Sequence, residues 1–200
     1  MLIDEYLKGI YDASKFEAEV KLWKNYKTDY KPLVEFAKNN DLRFIATNVP
    51  RRYASVVSKS GFEGLTPLAD DAKKLIAPMP FPYDPEVTCY KDMLSMGSMG
   101  GNVAAHVSEN LPKAQALKDV TMAHFILANW VNGKTFIHYN GSYHSRNFEG
   151  IIWYLLKTNP GLKIVTIETV QQKELNTFEK ENLNCASFIV AITDKMTRTY

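Results

Sequence analysis

Thirteen residues, His138-Tyr-Asn-Gly-Ser-Tyr-His-Ser-Arg-Asn-Phe-Glu-Gly150, gather two histidines, two tyrosines, two asparagines, an arginine and a glutamate. Groups that bind ligands or move protons are seldom so dense in a plain solvent turn, so this loop has a site-like composition. Alternation over residues 136–140 predicts a short strand. Asn140-Gly141, which tolerate positive φ, end it. His144 would then stand on a turn at a strand's carboxyl end. A helix is predicted next, over 148–157, with Ile151, Ile152, Leu155 and Leu156 apolar. In open α/β sheets that edge holds ligands, because strand ends fix the loops and the next helix offers its amino terminus. A lone Gly-x-x-His is a weak signal, and most loop histidines are structural or surface residues. The local density carries the reading.

Three further groups could do chemistry. Gln115, Asp119 and Met122 stand at i, i+4 and i+7 of a helix predicted over 112–130 with Asn110 as its cap, so an amide and a carboxylate share one face. Such a pair on a mostly apolar helix needs partners; it could orient His144 or hydrogen-bond backbone. Met93, Met96 and Met99 recur every third residue, and with Tyr90 and His106 they could line a slot for a large flat apolar ligand. Methionines so spaced more often fill gaps in a core. Asn48, Arg51 and Arg52 follow a strand predicted over 43–49, where an arginine could clamp a carboxylate in bidentate fashion or simply form a surface ion pair. Cys89 and Cys185 match neither a zinc pattern nor a disulfide framework and read as buried or idle thiols.

The positioning elements follow from periodicity. Residues 1–27 read as helical, with Leu2, Ile3, Tyr6, Leu7 and Ile10, then Phe16, Val20 and Trp23, facing a core. Thr28 or Asp29 can cap a helix that takes Pro32 in its first turn and ends at Asn39-Asn40. Pro78, Pro80, Pro82 and Pro85 make a stiff connector. A helix is predicted over 86–96, a break at 97–101, strands over 162–170 and 187–193, and a helix over 174–183 between them. Strands alternating with helices give an α/β fold with a mixed, mostly parallel sheet flanked by helices, in one domain over 1–200.

The chain is 200 residues with 46% hydrophobic and 23% charged residues, ordinary for a globular fold. With 24 Lys and Arg against 22 Asp and Glu, interspersed along the helices, there is no electrostatic case for nucleic acid. No apolar run reaches the roughly 18–20 residues that span a bilayer, and the first residues lack the pattern of a signal peptide.

Asn48-Val-Pro-Arg51 after a strand, Ala114-Gln-Ala-Leu-Lys-Asp119 running into Thr121-Met-Ala123, and Asn140-Gly-x-x-His144 followed by Gly150 and an apolar helix resemble the ChaN-type haem-binding lipoproteins of bacterial iron uptake. More distantly the chain is similar to the Tiki, TraB and erythromycin-esterase groups. The resemblance implies reversible haem binding in an apolar pocket at a homodimer interface, a tyrosine ligand, and a place in the cell envelope with membrane attachment only through a lipid anchor. On that basis Tyr90 and Tyr143 are candidates for the iron, His106 and His144 for the iron or the propionates, and Arg51 for a propionate. Asn48, Gln115, Asp119, Asn140 and Gly141 would support them. The chain corresponds to the C-terminal three quarters of the family domain, without the family's initial strand, its first Gly-Glu-x-His motif and its lipoprotein signal. That favours binding over catalysis. The alternatives are a metal-dependent hydrolase using His144 as ligand or general base, and a structural piece whose binding groups lie elsewhere.

Overall fold

The computed structural model describes residues 2–99, 109–197 and 199, the side chains of 95–99 excepted. These residues pack as two compact units, 1–46 with 195–200, and 47–194. In the first, α1 (Leu2–Leu7), α2 (Ala13–Glu19) and α3 (Lys31–Asn39) surround a core of Tyr6, Phe16, Tyr26 and Val34. The Asp12 carboxylate caps α2 by accepting from the Lys15 backbone N–H at 2.8 Å. The expected helix over 1–27 is broken at Gly9, which takes φ +73°. In place of a Thr28 or Asp29 cap, a π-helical turn, Tyr26–Tyr30, leads into α3, with Pro32 in its first turn as expected. Three residues expected in the core are outside it: Leu2 is 43% exposed, Ile10 67% and Trp23 69%. Leu2 opens α1, and the other two lie in the connections next to α2 rather than on a helical stripe.

The second unit is built on α7 (Leu111–Asn129), whose residues Ala114 to Ala123 are buried on every side except at Lys118. α4 (Arg51–Ser60) packs Tyr53, Ala54 and Val57 against Ala114 and Leu117. α6 (Thr88–Met99) and α8 (Ile151–Thr158) cover α7 elsewhere through Tyr90, Ile151, Tyr154 and Leu155 against Ala116, Val120 and Ala123. Burying a side chain such as Leu117 completely contributes about 1.5–3 kcal/mol. A short α5 (Asp70–Lys73) precedes the proline connector. The connector lies pinned to α7, the Ala77 backbone N–H donating to Thr121 Oγ1 at 3.3 Å, and its Phe81 and Tyr83 pack edge-on against Phe62.

The fold is α/β, but among the described residues the sheet is one parallel pair, β1 (Ile167–Gln172) with β2 (Phe188–Thr193), in register Ile167 to Phe188. The segments 43–49 and 136–140, expected as strands, run without ladder partners among the described residues. Strand propensity becomes a strand only where a neighbour completes the hydrogen bonds. The helix expected over 174–183 is replaced by bends and a 3-10 turn, Lys180–Asn182. The Gln172 amide donates to the Glu174 carbonyl and to Thr177 O, the latter at 3.0 Å, holding the chain out of the helical path.

Candidate functional site

Three elements converge on His144. α7 supplies Gln115 and Asp119 one turn apart, α6 supplies Cys89 and Tyr90 at its start, and the loop before α8 supplies Tyr143, His144, Glu149 and Gly150. His144 Nδ1 lies 2.5 Å from Asp119 Oδ1, the His144 side chain being 17% exposed and Asp119 fully buried. A carboxylate can only accept, so with Asp119 ionised the imidazole donates from Nδ1 and keeps its lone pair on Nε2. The Gln115 amide nitrogen lies 2.9 Å from the same nitrogen; an amide nitrogen only donates and the Nδ1–H is already given to Asp119, so Gln115 packs against the ring while Asp119 holds the hydrogen bond. Lys118 Nζ in turn donates to Gln115 Oε1 at 3.4 Å.

The second carboxylate oxygen is held by Tyr90, whose buried hydroxyl donates to Asp119 Oδ2 at 2.9 Å. Burial, and then Asp119 itself, push the Tyr90 phenol far above its ordinary range. Burial likewise pushes the Asp119 carboxyl up, against the opposing pull of the hydrogen bonds from His144 and Tyr90. Tyr90, expected at the iron, is fully buried and serves here to fix Asp119. Beside it Tyr154 carries a buried hydroxyl with no hydrogen-bond partner among the described residues.

Backbone geometry fixes the loop. Gly150 takes φ +55°, and a Cβ there would meet the His144 carbonyl oxygen at 2.5 Å and Asp119 Oδ2 at 3.3 Å. Asn147 and Phe148 both lie in the left-handed region, at φ 58° and 61°, an arrangement that costs a bulky residue and persists only where the surroundings impose it. The surroundings do so: Asn147 N–H donates to Cys185 O at 2.8 Å, and Arg146 Nη2 donates to Asn182 Oδ1 at 2.9 Å and Glu181 O at 3.1 Å. Asn140 Nδ2 donates to Ser145 Oγ at 2.9 Å and to Gly141 O at 3.0 Å. His138 is held between Thr47 Oγ1 at 2.8 Å and Asn140 Oδ1 at 3.0 Å, and burial lowers its affinity for a proton.

Cys89 closes the far side. Its backbone N–H donates to Glu149 Oε2 at 2.7 Å, and burial first, then Glu149 and Asp119, push its thiol up to about 12. Alkylation of Cys89 at pH 8 should therefore run about a thousandfold slower than that of a thiol at the ordinary 9.0, as timed by iodoacetamide labelling. Because the folded state keeps this proton more tightly than the unfolded one, the thiol's contribution to stability is complete below pH 9.0 and is lost as pH rises toward about 12.

Of the residues singled out in the sequence, the structure brings together Tyr90, Gln115, Asp119 and His144, with Asn140 and Gly141 shaping their loop. Tyr143 is 41% exposed next to His144; burial raises its phenol, with Asp92, Cys89 and Glu149 adding to the effect. Asn48 and Arg51 are exposed, with no described contact to this cluster. The expected strand end that would have carried them inward is absent, the chain at 43–49 being extended but unpaired. His144 likewise ends a 3-10 turn, Ser142–His144, rather than leaving a strand. Asn110 precedes α7 without capping it through its side chain. His106 and the side chains of Met96 and Met99 lie outside the described residues, and Met93 is half-buried. Sequence reasoning counted Glu149 in the loop and read Cys89 as a buried or idle thiol, and it assigned no role to Lys118 or Tyr154. Only proximity in the chain, Cys89 to Tyr90 and Lys118 to Asp119, could have placed Cys89 and Lys118 in the cluster.

The model of a family described as haem-binding uptake, Tiki superfamily, ChaN, matches residues 1–155. No curated protein and no solved structure gives a match. The matched stretch contains every member of the His144 cluster and ends within α8, before the β1–β2 pair.

Proposed function

Since the chain belongs to the haem-binding uptake family of the Tiki superfamily, we propose that it binds haem reversibly against the 137–150 loop, with His144 Nε2 presented to the iron. The observation that carries this is a partly exposed histidine whose Nδ1 is clamped by a buried carboxylate, on a segment that leaves several apolar and aromatic side chains exposed. Ile137 is 69% exposed, Tyr139 59%, Phe148 42% and Tyr143 41%. A carboxylate or amide on the far nitrogen of a ligating imidazole fixes its tautomer and raises its basicity. Exposed apolar side chains on both sides of it suit a flat apolar macrocycle.

The donor set fits the cofactor: an imidazole nitrogen, an adjacent phenol and a nearby cation. His144 would hold the iron, Tyr143 is the phenol placed to share or replace that role, and Lys118, half-buried behind Gln115, would face a propionate. When bound, haem would supply an iron that takes such a nitrogen or phenolate as a ligand. Asp119 and Gln115 orient the ring, Tyr90 keeps the carboxylate in place, and Gly150 lets the loop lie close to α7. A second copy of the chain covering the same segment would exclude water from the porphyrin face. On this reading the place of action is the cell envelope. A carboxylate-held histidine can also act as a general base; ester turnover abolished by His144→Ala would favour that reading instead.

Titration with hemin tests the proposal. Saturable binding is expected, with the Soret position altered by His144→Ala, the charge-transfer band by Tyr143→Phe, and neither band moved by Tyr90→Phe. A purely non-saturating change in the intact chain would overturn it.

A further inference from the structure

Trp23 is the largest side chain that periodicity assigns to the core and the structure leaves outside, at 69% exposure. It lies in the connection between α2 and the turn Tyr26–Tyr30, held edge-on to Tyr30 with ring centroids 5.1 Å apart. Lys21, Lys24 and Lys27 flank it, and all three are exposed. The neighbouring acids are committed elsewhere: Glu19 to Lys15 at 2.8 Å, Glu17 to Lys31 at 2.6 Å, and Asp29 to Asn25 and Thr199, both at 2.6 Å. No described carboxylate pairs with the three lysines. Leu22 and Tyr26 pack inward on Tyr6, Phe16 and Val34, so the segment is anchored while its indole and ammonium groups face out.

From this juxtaposition we propose that the Lys21–Trp23–Lys24–Lys27 segment is a contact surface for an anionic lipid bilayer. An indole has an apolar body and a polar N–H and settles at the headgroup level, while lysines stretch apolar stems and leave their charge among the phosphates. Each lysine near an anionic surface strengthens binding about fivefold, and the attraction fades within a Debye length. A nucleic acid is the poorer match. The chain's net charge is only +2, and one aromatic with three lysines and no arginine makes neither a stacking platform nor a basic groove.

The test is co-sedimentation of the full chain with vesicles of phosphatidylcholine and phosphatidylglycerol in equal parts, against phosphatidylcholine alone and polyuridylate. Salt-sensitive binding to the anionic vesicles is expected. It should weaken about a hundredfold in Lys21→Gln/Lys24→Gln/Lys27→Gln and about tenfold in Trp23→Ala, with far-ultraviolet circular dichroism unchanged. The emission of the intact chain minus that of Trp23→Phe should shift to the blue on these vesicles only. Absence of vesicle binding, equal binding to phosphatidylcholine alone, insensitivity to the triple substitution, or tighter binding to polyuridylate would each overturn the proposal.

Discussion

Asp119→Ala is expected to lower the unfolding free energy by about 2–4 kcal/mol, because it leaves two donors, the buried Tyr90 hydroxyl and the largely buried His144 Nδ1–H, without their acceptor. The side chain is fully buried, and its two oxygens hold the Tyr90 hydroxyl and His144 Nδ1. Alanine would strand the Tyr90 donor inside the core beside Tyr154, whose hydroxyl has no hydrogen-bond partner among the described residues. Each buried unsatisfied group of this kind costs about 1–3 kcal/mol. Asp119→Asn keeps the volume and one acceptor and should lose less than half as much. Urea unfolding distinguishes them, and a loss below about 1 kcal/mol for the alanine variant would show that the carboxylate does not organise this core. The pH dependence has a definite sign. Burial raises the folded-state affinity of Asp119 for its proton, so its contribution is complete below the ordinary carboxylate range and declines as pH rises through the folded value. The advantage of the wild-type chain over Asp119→Asn should accordingly shrink as pH rises from strong acid. A widening gap would reverse the assignment of burial as the dominant effect.

Gly150→Ala should be the most damaging single methyl addition among the described glycines with positive φ. The new Cβ would sit 2.5 Å from the His144 carbonyl oxygen, a backbone atom that cannot swing aside, at φ +55°. A backbone at φ 55°, ψ −116° is open to glycine and costs alanine about 1–3 kcal/mol, and displacing the loop adds to that. Gly133→Ala is the internal control: it has φ +78° but nothing within 4 Å of an added Cβ, so it should show only the backbone part. Because the loop displaced by Gly150→Ala carries His144, hemin affinity should also fall about tenfold, whereas Gly133→Ala leaves it unchanged. Equal stability losses in the two variants, or intact hemin affinity in Gly150→Ala, would remove the close approach of this loop to α7 from the account of the site.

The helices that hold the site were legible in the sequence because their information is local. Ala114 to Ala123 is mostly apolar, and of its four polar residues Gln115 and Asp119 lie one turn apart on one face. Their meeting with one side chain followed once His144 was near. The composition of residues 138–150 marked the loop itself, since turn-forming Asn140-Gly141 and a crowd of ligand-type side chains are readable without a fold. The parallel pairing of β1 and β2 was expected from strands alternating with helices; the pairing is there, although the helix that was its warrant is not.

Contacts between distant segments decided the rest. Residues 43–49 and 136–140 have strand composition, yet a ladder needs a neighbour at hydrogen-bonding distance, and only the folded chain shows which segments have one. Tyr90 and Tyr143 are the same residue type near the same histidine. The packing of α6 on α7 buries the first, so that it fixes a carboxylate, and leaves the second at the surface, where a ligand can reach it. Trp23 fits the helical stripe that would bury it, but α2 ends at Glu19, and the chain turns its indole outward beside three lysines. Spacing along the chain therefore determined which side chains could share a face, and packing determined which of them are buried, because burial depends on what covers a residue rather than on the residue itself.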